Sequence, residues 1–189
     1  MLDRSRTVRQ GAVWTIAAIA LVAAGAAEAG KPQGGDDRID AIWQRKAEPV
    51  VVPAGVTLAQ LLVPQPNETP LEAGAREMLA GSLGLIDVVE LAIDDLEVRF
   101  YLTGGQPLII PIRRKVQAGG AAARTETFLE WEGPVLVLRR TIGKSVSSVE
   151  RLYVASDGTL HVDLEWTGSP AKAPIRVATV YNRLSSGYQ

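Results

Sequence analysis

The sequence lacks cysteine and contains a single histidine, His161. Disulfide bonds are therefore excluded, and one imidazole without cysteine is a poor basis for a transition-metal site, so no metal and no cofactor are expected. Aromatic residues make up only 5% of the chain. Valine, leucine and isoleucine must supply most of the core, and that core alone must hold the fold.

A basic start and an uncharged stretch occupy the amino terminus. The basic residues are Arg4, Arg6 and Arg9. Residues 11–27 carry no charge, and Ala27 and Ala29 stand at the two positions that a signal peptidase recognises. This order predicts a cleavable secretory signal peptide over residues 1–29. The uncharged stretch of 17 residues is shorter than the roughly 20 that a transmembrane helix needs, which favours a cleaved signal over the alternative of an uncleaved anchor. No stable membrane span is expected after cleavage.

The chain after the signal peptide also lacks a large excess of either positive or negative charge. Cleavage removes three basic and two acidic residues and leaves 17 basic against 19 acidic. Such a balance argues against a nucleic-acid surface, which needs a basic field. We expect an exported protein, periplasmic or secreted, that begins with a flexible Gly- and Pro-containing leader over residues 30–35.

Helix signals are confined to residues 36–84, which are expected to form short helices that pack on the rest of the domain. Asp36 or Asp37 can cap a helix over residues 38–46, with Ile39 and Trp43 on one face. Two capping boxes mark two further helices. The boxes pair Thr57 with Gln60 and Thr69 with Glu72.

From residue 85 to residue 184 the apolar period changes from about 3.6 to 2, as in strands with one buried face. The clearest apolar row is Leu160, Val162, Leu164 and Trp166. Asp157-Gly158 precedes that row and favours a type I′ hairpin. We predict a mainly β fold: an antiparallel meander of about seven to nine strands that closes fully or partly into a barrel, followed by a tail over residues 185–189.

The carboxy-terminal part of the chain resembles the meander of lipocalin-like (calycin-type) barrels, and is similar to exported bacterial proteins of that kind that have no assigned activity. The resemblance covers residues 127–184. It rests on the segments Trp131-Glu132-Gly133, Val135-Leu136-Val137, Glu150-Arg151-Leu152-Tyr153, Ser156-Asp157-Gly158-Thr159-Leu160 and Val180-Tyr181-Asn182-Arg183. It implies an antiparallel barrel and a small apolar ligand in its lumen.

Two features depart from the pattern of the characterised relatives. No tryptophan after residue 29 is preceded by the Gly-x-Trp motif of lipocalins. Tyr181 matches the tyrosine that holds the ligand carboxylate in intracellular fatty-acid carriers, but Thr179 stands where those carriers have arginine. A carboxylate anchor is therefore not carried over. The candidate ligand-binding residues are Phe100, Trp131, Trp166 and Tyr181, which could equally fill a solid core.

Groups for catalysis are not recognisable. Ser147-Ser148 and Ser185-Ser186 lack the frame of a nucleophile elbow. The acidic residues Glu126, Glu130, Asp163 and Glu165 fall on the outward face of their strands, and the acidic group at Glu90, Asp94, Asp95 and Glu97 is better explained as a turn than as a calcium site. We expect no enzyme. The leading hypothesis is a barrel that binds a small apolar molecule, and the alternative is an interaction or assembly module with a solid core that contacts another envelope protein.

Overall fold

The structure is a computed structural model that describes residues 35–53, 55–102, 106–119 and 124–184. The predicted signal peptide, the tail and all but the last residue of the leader lie outside this part of the chain. Within the four described ranges, no helix is both long and apolar enough to cross a membrane.

The described residues form eleven strands, two α-helices and two 3-10 turns. The strands are β1 (Ala41–Arg45), β2 (Val50–Val52), β3 (Val88–Ile93), β4 (Glu97–Leu102), β5 (Leu108–Pro111), β6 (Lys115–Ala118), β7 (Thr125–Glu132), β8 (Val135–Ile142), β9 (Val146–Val154), β10 (Leu160–Thr167) and β11 (Ile175–Arg183). The helices are α1 (Leu58–Leu62) and α2 (Pro70–Ala80), and the 3-10 turns cover Asp37–Ile39 and Leu83–Leu85. The fold is therefore mainly β, as predicted.

All strands belong to one antiparallel sheet that curves into a nearly closed barrel. The strand order is β5-β4-β3-β1-β11-β10-β9-β8-β7-β6, and β2 pairs with β11 beside β1. At the seam, Ile112 forms a bridge with Leu129, and the amide of Arg113 donates to the carbonyl of Leu129 at 2.7 Å. The predicted barrel architecture is confirmed, but the predicted count of seven to nine strands is too low, because β1 and β2 lie in the part of the chain that is predicted to be helical.

The predicted helix over residues 38–46 is wrong. Asp36 caps only the 3-10 turn, and the chain then enters β1. In β1, Trp43 pairs with Val89 of β3 on one side and with Arg183 of β11 on the other. As a strand, this segment forms backbone hydrogen bonds with β3 on one side and β11 on the other. It also buries Trp43, which is 1% exposed. A nine-residue helix is only marginally stable by itself. Because pairing within the sheet stabilises this segment more than such a helix would, the segment forms a strand despite its helical spacing.

The other two helices are confirmed together with their capping boxes. In α1 the Thr57 hydroxyl accepts from the Gln60 amide, and in α2 the Thr69 hydroxyl accepts from the Glu72 amide, both at 3.3 Å. The glutamine and glutamate side chains accept in return from the threonine amides. The two helices differ in burial: α2 contributes three buried side chains and α1 contributes none.

The hairpin between β9 and β10 exists, but its turn type was predicted wrongly. A type I′ turn needs positive φ at both central residues. Gly158 has φ 82°, whereas the non-glycine residues with positive φ in the described part of the chain are Asn67 and Arg113. The Gly158 amide donates to the Ala155 carbonyl at 3.0 Å. A three-residue loop with glycine in the left-handed region satisfies the strand twist with one positive φ instead of two.

Candidate functional site

The interior contains two apolar clusters. The barrel cluster consists of Ile39, Trp43, Leu83, Val89, Leu91, Val98, Phe100, Ile110, Leu129, Trp131, Leu136, Leu138, Leu152, Val154, Leu160, Val162 and Tyr181. The cap cluster lies towards α1 and α2 and consists of Ala75, Met78, Leu79, Ile142, Val146, Leu164, Trp166, Ala171, Ile175 and Val177. The predicted inward row of β10 is confirmed, and it contributes two residues to each cluster.

A layer of buried polar side chains separates the two clusters. Its members are Ser82, Arg140, Ser148, Glu150 and Thr179, each no more than 8% exposed. On β8, Arg140 lies between Leu138 of the barrel cluster and Ile142 of the cap cluster. Ser148 and Glu150 occupy the corresponding positions on β9. We call this group the polar layer.

Arg140 and Glu150 form an ion pair at the centre of the polar layer. Nη2 of Arg140 donates to Oε1 of Glu150 and, at 2.9 Å, to the Ser82 hydroxyl. Oε2 of Glu150 accepts from the backbone amides of Leu83 at 2.6 Å and Gly84 at 3.4 Å. Both oxygens of this fully buried carboxylate therefore have partners, as a buried charge requires.

The segment 82–86, which follows α2, runs inside the barrel and is held there by side chains of β11 as well. The Thr179 hydroxyl donates to the Gly84 carbonyl at 2.6 Å, and the Tyr181 hydroxyl lies 2.6 Å from the Leu83 carbonyl. Burial raises the pKa of Tyr181 far above its ordinary value, so this hydroxyl stays a donor. Part of the lumen is thus filled by the chain itself.

Two atoms of the polar layer have no hydrogen-bond partner among the described residues. They are Nε of Arg140 and Oγ of Ser148. Arg140 and Ser148 are directly opposite each other on β8 and β9, so their side chains start on the same inner face about 5 Å apart. A third unpartnered atom, Nε1 of Trp131, lies in the barrel cluster, where Gly35 packs against the indole ring. Unpartnered buried polar atoms are rare in proteins and demand an explanation.

The four predicted ligand-binding residues are all buried but do not form one site. Phe100, Trp131 and Tyr181 belong to the barrel cluster, whereas Trp166 belongs to the cap cluster. The Trp166 indole donates to the Gly168 carbonyl at 2.9 Å, which fixes it to the loop between β10 and β11. The polar layer lies between these two groups of aromatic side chains.

His161 and the acidic residues considered from the sequence are not among the buried residues, whereas Ser148 belongs to the polar layer and Ser185-Ser186 lie outside the described residues. His161 stacks on Tyr153 with ring centroids 5.1 Å apart, and its Nε2 lies 3.1 Å from the Thr159 hydroxyl. Asp94 accepts from the amides of Leu96 and Glu97, each at 2.8 Å, which is the turn role expected for it. In the part of the chain that the structure describes, no three acidic, histidine or cysteine side chains are placed to share a metal ion.

Arg140 and Glu150 are not among the site residues predicted from the sequence. Their signal was present in the strand period: Leu136, Leu138, Arg140 and Ile142 form one inward row, and Val146, Ser148, Glu150, Leu152 and Val154 form the next. Opposite charges at inward positions of two consecutive strands indicate a buried ion pair.

Two surface depressions lie outside the barrel. One, of about 320 Å³, runs along the outer faces of β2, β10 and β11 and is lined by Val50, Val52, Arg151, Glu165 and Arg176 among others. The second, of about 430 Å³, surrounds the turn at Asp94–Glu97. Neither reaches the polar layer.

These features define an antiparallel, nearly closed β-barrel with a helical cap and a buried polar layer. No family model matches the sequence, and no curated protein is significantly similar to it. Among solved structures, the chain is similar to a REP1-NXSQ fatty acid transporter, with 13% identity, TM-score 0.49, and coverage of 79% of this chain and 98% of that one.

Two further solved structures show a similarity of the same order. A secretory abundant heat soluble protein from Ramazzottius varieornatus has 8% identity and TM-score 0.49, with 82% of this chain and 97% of that chain covered. A Schistosoma mansoni fatty acid binding protein in complex with arachidonic acid has 12% identity and TM-score 0.46, with 78% and 97% covered. Similarities at this level establish neither a family nor a ligand for this protein, and the similarity to exported bacterial proteins stays a prediction.

Proposed function

We propose that this protein is an exported, non-enzymatic binding protein whose barrel takes a small, mainly apolar molecule with one polar group. The polar group would lie at Arg140 and Ser148. The observation that carries the proposal is the pair of unpartnered atoms in the polar layer, Nε of Arg140 and Oγ of Ser148. Each costs about 1–3 kcal/mol when buried without a hydrogen bond, and hydrogen bonds to the polar group of a ligand would offset these costs.

The cap end supports entry from the side of α1. The three leucines of α1, Leu58, Leu61 and Leu62, are only partly buried. Arg140 lies directly beneath the end of α2, since its Nη1 is 3.5 Å from the Gly81 carbonyl. Displacement of α1, which contributes no buried side chain, would therefore expose the cap cluster without breaking the sheet.

To test the proposal, the protein is purified from its own host, small molecules bound to it are extracted with solvent, and the extract is analysed by mass spectrometry. We expect a small apolar compound at a stoichiometric amount in the wild-type protein and a reduced amount in the Ser148→Ala variant. Ser147→Ala, one residue along the same strand on its outer face, is the matched control. An extract with no compound above the level of an unrelated protein would contradict the proposal.

A second candidate function is an interaction module with a solid core, and a specific observation favours it. The segment 82–86 occupies the lumen and is hydrogen-bonded to Glu150, Thr179 and Tyr181. Crosslinking in intact cells distinguishes the candidates. A specific protein adduct together with an empty extract would support the interaction module and oppose ligand binding.

Export is supported by the basic, uncharged and small-residue order of residues 1–29. The test is amino-terminal sequencing of the protein recovered outside the cytoplasm. We expect the mature chain to begin at Gly30. Recovery of the full-length chain from the cytoplasm alone would contradict export.

A further inference from the structure

We propose that the polar layer selects a neutral polar group, such as an amide or an alcohol, and rejects a carboxylate. This inference rests on the proposed function, because it concerns the ligand of the same site. It specifies the chemical class that the site takes.

The described interior contains one buried charge of each sign. Arg140 and Glu150 are the two charged side chains among the buried residues that the structure describes. Their guanidinium and carboxylate groups are paired. The interior is therefore electrically balanced before any ligand enters, and an added carboxylate would bring an uncompensated negative charge into a low-dielectric site.

Two groups of the polar layer have hydrogen bonds still to make, Nε of Arg140 and Oγ of Ser148. Nε–H of Arg140 can only donate, and the Ser148 hydroxyl is free to donate as well. Both oxygens of Glu150 already accept, from Arg140 on one side and from the amides of Leu83 and Gly84 on the other. The site thus offers donors to a neutral oxygen but has no free cation to balance an anion.

The two probes that separate charge from shape are octanamide and octanoate, which share a chain and differ in the head group. Binding is followed by the fluorescence of the buried tryptophans Trp43, Trp131 and Trp166. We expect wild-type protein to bind octanamide at least about tenfold more tightly than octanoate, because an unpaired buried charge is strongly unfavourable. Octanoate binding equally or more tightly would overturn the inference and leave the proposed function intact, whereas binding of neither probe would overturn both.

Two variants place the binding at the polar layer. Ser148→Ala should weaken octanamide binding about three- to tenfold, as expected for the loss of one hydrogen bond, and Ser147→Ala should leave it unchanged. An equal effect of the two variants would overturn the assignment of the site.

Glu150→Gln tests the charge argument directly. It leaves Arg140 without its counter-ion, so the preference should shift towards octanoate by about tenfold or more. An unchanged preference in the folded variant would overturn the inference. Should the variant fail to fold, the probe pair on wild-type protein and the two serine variants still decide the question.

Discussion

The barrel cluster and the cap cluster are both apolar, but they are closed by different means. The barrel cluster is enclosed by strands and by the 3-10 turn Asp37–Ile39, whose Ile39 is 0% exposed. The cap cluster is covered by α2 and by α1, and α1 contributes no buried side chain. Regions held by few buried contacts open most readily. We therefore expect the helical end to open more readily than the strands.

The largest effect is expected at the boundary between the two clusters. Arg140→Met removes the partner of Glu150, which is 0% exposed, and leaves its carboxylate buried without a counter-ion. We expect a loss of about 3–5 kcal/mol in the free energy of unfolding, measured by urea denaturation. The double variant Arg140→Met/Glu150→Leu, which removes both charges, should recover most of the loss. Additive losses in the double variant would show that the ion pair is not what the single change disrupts.

The next prediction compares the clusters themselves. Leu138→Ala removes a side chain that is 1% exposed in the barrel cluster, and it should cost about 3 kcal/mol through lost burial and a cavity. Leu61→Ala removes a leucine that α1 only partly buries, and it should cost about 1 kcal/mol. Both are measured by urea denaturation. Equal costs would mean that the cap is held as firmly as the barrel.

A smaller effect is expected when the cap is loosened without touching either cluster. Thr69→Ala removes the hydroxyl that accepts from the Glu72 amide at the start of α2. We expect a loss of about 1 kcal/mol in the free energy of unfolding. Amide hydrogen exchange should become faster in α2 and stay unchanged in β9 and β10. Faster exchange in those two strands would show that cap and barrel open together.

The same contrast explains which parts of the fold could be predicted from the sequence. The rows of β10 and the boxes of α1 and α2 are local signals, and the structure confirms them. The residues of β1 carry helical spacing, and their strand depends on β3 and β11, which lie far away in the sequence. Local periodicity cannot report such long-range pairing.

The candidate site was predictable only in part, for a related reason. The strand period predicts that Phe100, Trp131 and Trp166 face inwards, and all three are buried. The period does not show that Trp166 packs in a different cluster from Phe100. The pairing of Arg140 with Glu150 depends on the register of β8 against β9. That register, together with the entry of segment 82–86 into the barrel, follows from the three-dimensional fold.

The smallest expected effect is a pH dependence of folding stability. It arises from one carboxylate at the barrel end, Asp36, and one at the helical end, Glu72. Hydrogen bonding to Arg38 lowers the pKa of Asp36 at the 3-10 turn, and hydrogen bonding to Thr69 lowers the pKa of Glu72 at α2. Because the folded pKa is depressed, each contribution is present above the ordinary pKa, 3.8 for Asp36 and 4.5 for Glu72, and is lost as pH falls through the folded value.

Asp36→Asn and Glu72→Gln remove these titrations one at a time, so each variant should lose less stability than wild type between neutral pH and about pH 3. Thermal unfolding across this range measures the difference, and Glu126→Gln on the outer face of β7 is the control. Hydrogen exchange then localises the effect: on acidification of the wild type, the amides of α2 should lose protection before those of β1. If the amides of β1 lost protection first, the end of the barrel at the 3-10 turn would open before the helical end, contrary to our expectation.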